Sequence, residues 1–144
     1  MRVEIVVGEI VVEIELENAG DRHLTQRGFR SASDVRRETI RANADRGVTM
    51  LMVPKDVVER LGVPEIDQVR TVSTDGQRGE AAVAGPLRIR IGVRETSTEC
   101  IVLPEGAGTV VGLMVLNVLD LHPDPASQTL GQRPESPDRP LLRG

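Results

Sequence analysis

Asn43-Ala44-Asp45-Arg46-Gly47-Val48-Thr49-Met50-Leu51-Met52-Val53-Pro54 places an acid and a glycine between two strand-like runs. The chain thereby delivers one carboxylate, Asp45, into a tight turn. Asp45 supplies either chemistry or a turn hydrogen bond, while Gly47 permits positive φ or a close backbone approach. Upstream, Val35 to Ala44 reads as a strand with Ile40, Ala42 and Ala44 on the face opposite Arg37, Thr39 and Arg41. Downstream, Thr49 to Val53 is short and almost wholly apolar, as expected of a strand buried on both faces. Asp-x-Gly alone is equally an ordinary turn signal, so its surroundings must decide.

Working outward, Pro54 ends the apolar run and Val57, Val58 and Leu61 share one face of a short helix for which Gly62 is the C-terminal cap. Asp75-Gly76, between the strand-like arms of Arg70 to Glu80, predicts a β-hairpin. Leu87, Ile89 and Ile91 alternate with Arg88 and Arg90, and Gly92-Val93-Arg94 turns that strand into a second one, Glu95 to Leu103. Thr109-Val110-Val111-Gly112 then reads as a short buried strand, and Leu113 to Leu119 as a second short helix with Asn117 outward. Before the turn, Val3 to Glu17 alternates as one strand bent near Gly8, and Arg22 to Ser33 has no clear period and reads as a surface loop. Pro125 to Leu130 is a candidate last strand. The expected organisation is one β domain over residues 1–130, with residues 18–34 as a surface loop and residues 131–144 as a flexible tail.

Composition narrows the function classes. Among 144 residues the only aromatic is Phe29, so aliphatic β-branched packing must fill the core, which favours strands. With a net charge of -4 and no basic runs interleaved with aromatics, nucleic acid is not an expected partner. No apolar run reaches the roughly 18 residues of a membrane span, and the opening residues carry no signal-like apolar region, so a soluble, cytoplasmic protein is expected. Cys100, the single cysteine, reads as a buried structural thiol. His23 and His122 have no nucleophile or second ligand at a recognisable spacing, so neither a metal nor a cofactor is expected.

The order of pieces is more specific than any one of them: strand, Asp-x-Gly-x-Thr turn, buried strand, proline, short helix ending in Leu-Gly, Asp-Gly hairpin, second hairpin, and two β-branched residues plus glycine opening a helix. Over roughly residues 35–130 it resembles the retropepsin-like aspartic proteases, particularly the short bacterial members related to retroviral proteases. That family's turn reads Asp-Thr-Gly-Ala or Asp-Ser-Gly-Ala followed by Thr or Ser; Asp45, Gly47 and Thr49 match it, whereas Arg46 and Val48 depart from it. The resemblance implies a small closed all-β barrel and a homodimer acting on an extended peptide or protein substrate. By position it assigns Asp45 as the catalytic aspartate, Thr74, Asp75, Gly76 and Gln77 as the flap tip, and Val110, Val111 and Gly112 as the support beneath the active-site loop.

The chemistry asks for the dimer independently. Hydrolysis by two carboxylates needs one ionised to activate water and one protonated to assist the carbonyl, and like charges about 3 Å apart share one proton. One chain offers one such aspartate, and a two-fold axis supplies the other. In the family, the residue after the aspartate is a small hydroxyl that bonds across that axis, which Arg46 cannot reproduce. Two guanidinium groups about 4 Å apart repel by about 4 kcal/mol at an effective dielectric near 20. Two dimeric readings follow, an active endopeptidase and a catalytically inactive peptide-binding or structural module; an unrelated barrel with Asp45 as a plain turn residue stands beside them.

Overall fold

The structure, a computed structural model, describes residues 3–6, 9–73, 75–124 and 129–132. Its strands are β1 (Val3–Val6), β2 (Glu9–Asn18), β3 (Arg37–Ala44), β4 (Leu51–Pro54), β5 (Glu65–Val72), β6 (Arg78–Ile91), β7 (Arg94–Leu103), β8 (Thr109–Val111), β9 (Leu121–Asp124) and β10 (Thr129–Gln132). Among the described residues three short α-helices accompany them: α1 (Ala19–Gln26), α2 (Lys55–Leu61) and α3 (Leu113–Leu119).

Hydrogen bonding runs in the order β1-β2-β3-β8-β4-β7-β6-β5, and a further β2–β6 pairing, with Leu16 opposite Ile89, closes six of these strands into a barrel. Closure removes the exposed edges that an open sheet would present. The expected small all-β barrel is therefore present, with β1 added outside β2 and β5 extending β6 into a ribbon. Alternation explains which side chains fill it: Ile10, Val12, Ile14 and Leu16 from β2 meet Leu87, Ile89 and Ile91 from β6, all buried. Leu51, Val53, Leu116 and Leu119 complete the core. Cys100 is buried in β7, and burial pushes its thiol up to about 12, so it packs as a small apolar group.

α2 forms as expected. Val57, Val58 and Leu61 face inward, and Gly62 ends the helix with φ of 65°. No helix among the described residues is long and apolar enough to cross a membrane.

Two expectations need correction. The N-terminal run is a hairpin rather than one bent strand: β1 pairs antiparallel with β2, Val6 opposite Glu9. Both arms mix aliphatic residues with acids, so either a bent strand or a hairpin accommodates the pattern. Residues 18–34, expected as a surface loop, hold α1 and a 3₁₀ turn at Ala32–Asp34. Asn18 caps α1 by accepting from the Asp21 N–H, and Asp21 is itself buried. Its carboxylate takes bonds from the Arg36 side chain at 2.8 and 3.0 Å and from the Arg36 backbone N–H at 3.1 Å, which ties the insertion to the start of β3. The same Arg36 guanidinium covers Gly62, where a Cβ would stand 1.9 Å from Nη1. Of the candidate last strand from Pro125 to Leu130, residues 125–128 lie outside those described; Thr129 and Leu130 begin β10, which bonds antiparallel to β9, a segment whose His122 and Pro123 give little strand signal. β10 reaches Gln132, past the expected end of the domain at residue 130, and residues 133–144 of the expected tail lie outside those described.

Candidate active site

β3 carries the chain to Asp45 and β4 carries it away, while β8 lies between them. β8 runs parallel to β3, with Ala44 opposite Val111, and antiparallel to β4, with Met52 opposite Val110. The turn thus straddles the strand predicted to support it. Asp45 N–H donates to the Val111 carbonyl at 3.0 Å, and the first N–H groups of α3 donate back into the loop: Leu113 to the Val48 carbonyl at 2.7 Å and Met114 to the Thr49 carbonyl at 2.9 Å. Helix-start donors that would otherwise lack partners are satisfied by loop carbonyls, so α3 and the turn fix one another. Gly112 permits this approach, because a Cβ on it would stand 2.5 Å from the Met50 carbonyl oxygen.

Within the turn, Val48 N–H bonds the Asp45 carbonyl at 3.3 Å, and Gly47 N–H bonds Asp45 Oδ1 at 2.8 Å. Gly47 does not have positive φ; its role is proximity, since a Cβ there would lie 3.1 Å from Asp45 Oδ1. Asp45 and Val48 are half-buried, whereas Arg46, Gly47 and Thr49 are exposed. No ion pair joins Arg46 to Asp45 or to any other described residue. A pocket of about 390 Å³ opens on the turn and is lined by Glu9, Ile10, Asn43 to Gly47 and Pro123.

The Asp75-Gly76 hairpin forms at the end of the β5–β6 ribbon. Gly76 has φ of 83°, Gly76 N–H bonds the Ser73 carbonyl at 2.9 Å, and Ser73 N–H bonds the Gln77 carbonyl at 2.8 Å. The Ser73 hydroxyl and Gln77 N–H donate to Asp75 and hold its carboxyl below the usual carboxylate range. Thr74 lies outside the described residues. A second, more apolar pocket of about 530 Å³ lies between this ribbon and the barrel, with Val72 and Ala82 on one side and Met52, Ile101 and Leu103 on the other. Among the described residues the two pockets share no lining residue.

Sequence reasoning missed the far support of the loop. Arg94, read as a turn residue, is 2% exposed, and its Nη1 donates to the carbonyls of Leu119 at 2.8 Å and Asp120 at 3.2 Å, at the C-terminal end of α3. A cation there also complements the helix dipole. Asp120 is fully buried with φ of 56°, and the half-buried His122 meets its Oδ1 through Nε2 at 3.0 Å. A Gly-Val-Arg turn carries no signal for an inward arginine; the position of α3 supplies the partners. Among the described residues no group of three or more His, Cys, Asp or Glu side chains could hold a metal ion. No family model matches the sequence, and no match to a curated protein was found.

Proposed function

We propose that the chain is a retropepsin-like aspartic endopeptidase that hydrolyses peptide bonds through an Asp dyad, one Asp45 from each protomer of a homodimer. The observation that carries this reading is the straddled loop: a half-buried carboxylate, held by Gly47 N–H, on a turn pinned by Val111, Leu113 and Met114. A plain surface turn needs no strand threaded between its arms. Two such carboxylates at a two-fold axis would share one proton, the ionised one activating water and the protonated one donating to the scissile carbonyl. The ribbon around Gly76 serves as the flap that closes on an extended peptide, and the buried thiol of Cys100 fits a cytoplasmic setting.

A second reading is favoured by one observation, the charged Arg46 within the turn. A guanidinium near the dyad would lower both carboxylate pKa values and remove the shared proton. The barrel would then be a catalytically inactive homodimer that binds a peptide as an added strand. Incubation with a mixed peptide library between about pH 3 and 7 separates the two. The peptidase gives cleavage that Asp45→Asn abolishes. Absence of cleavage from a sedimentation-verified dimer across that range leaves only the inactive module.

A further inference from the structure

Arg46 is exposed at the corner of the turn, and among the described residues no ion-pair partner answers its charge. Glu9 is in the same condition: exposed, at the start of β2, and unpaired among the described residues. The β2–β3 pairing reaches Val11 opposite Asn43, so Glu9, two residues before Val11, and Asp45, two residues after Asn43, leave the same end of that strand pair. Glu9, Asp45 and Arg46 line one pocket and are the charged residues among its described lining. One Asp45 oxygen is engaged by Gly47 N–H, whereas the Glu9 carboxylate has no bond among the described residues.

We propose that Glu9 of each protomer pairs with Arg46 of the partner subunit, so that the two-fold interface closes on two such ion pairs. This rests on the homodimer reading. An isologous interface places each patch against its own copy, so every contact occurs twice. Two Arg46 groups approaching an axis beside the turn repel unless an acid from each side meets them, and Glu9 is the acid beside Asp45 in their pocket. Held there, the guanidinium is drawn away from the Asp45 carboxylates, which stay free to share a proton. Arg46 then acts as an interface residue, and its departure from a small hydroxyl is matched by the acid at position 9.

Charge reversal in trans tests this directly. Glu9→Arg and Arg46→Glu each place like charges at both contacts, and each is expected to weaken the dimer by at least about tenfold. Mixed together, the two variants are complementary at both contacts, so a heterodimer is expected at concentrations where each alone is monomeric. Pairing within a chain cannot produce that rescue, because each variant carries like charges at positions 9 and 46. Both residues are exposed, and unchanged circular dichroism verifies folding. Sedimentation of the mixture gives the answer. A wild-type dimer unaffected by either reversal, or no heterodimer on mixing, overturns the pairing and leaves the homodimer standing. A wild-type chain that stays monomeric at high concentration removes the homodimer and the pairing together.

Discussion

Gly112 lies beneath the Asp45 loop so closely that a Cβ on it would stand 2.5 Å from the Met50 carbonyl oxygen and 2.7 Å from that of Val48. Both neighbours are backbone, so no side-chain rotation relieves the contact. Gly112→Ala is therefore expected to cost about 1 to 3 kcal/mol in urea denaturation. Any Asp45-dependent cleavage should fall further than stability does, since the loop is what must move. Gly108→Ala is the control: nothing lies within 4 Å of its Cβ, and a near-neutral effect is expected. Equal costs at the two glycines would remove the argument from close approach.

Arg46 tests whether the turn's charge reaches the carboxylates. With Arg46 drawn to the partner's acid, Arg46→Thr should weaken the dimer while cleavage per dimer changes by less than about threefold. A guanidinium seated on the dyad predicts the opposite, a tenfold or greater rise at neutral pH as the shared proton returns. Peptide cleavage measured at a concentration where both proteins are dimeric distinguishes the outcomes.

Asp21 makes acid stability a readout of the insertion. Its hydrogen bonds from Arg36, with the charges of Arg36 and Arg30 nearby, hold its carboxyl down to about 2 from 3.8. A folded-state pKa below the unfolded one contributes stability that is present above about 3.8 and lost as pH falls through about 2. Asp21→Asn is expected to cost about 2 kcal/mol at pH 7. That difference from wild type should shrink steadily between about pH 4 and 2 in urea denaturation. A difference that does not change with pH would mean that the charge contributes nothing.

Local signals made much of this fold readable. Ile10, Val12, Ile14 and Leu16 announce a half-buried strand by period, and all four are buried. Gly62 and Gly76 stand where turns demand positive φ, and both have it. Val110 and Val111 read as a short buried strand, and they form β8, paired with both arms of the turn. What escaped depends on tertiary partners. α1 buries Asp21 and no apolar side chain, so it has no hydrophobic period to read, only the Asn18 cap and the acid three residues on. The β1–β2 reversal is hidden because both arms mix aliphatic residues with acids, and β9 is hidden because Pro123 argues against a strand until β10 pairs with it. At the site, the turn was legible as Asp-x-Gly, but the neighbourhood of Glu9 required the β2–β3 register.

Arg94 shows how far from Asp45 the loop's support extends. From β7 its Nη1 caps the carbonyls of Leu119 and Asp120, and the opposite end of that helix donates to Val48 and Thr49. Arg94→Met keeps much of the buried volume but removes the donor, leaving two buried carbonyls without it; a cost of about 3 kcal/mol is expected. Arg94→Lys retains a cation near the helix C-terminus and should fall between the two. Hydrogen exchange locates the effect. If the helix is held from this end, the Leu113 and Met114 amides, which bond into the loop, should lose protection in Arg94→Met beyond the loss of global stability. Protection that falls equally at Leu113, Met114 and the β6 core amides would make Arg94 a general core residue with no particular hold on the Asp45 loop.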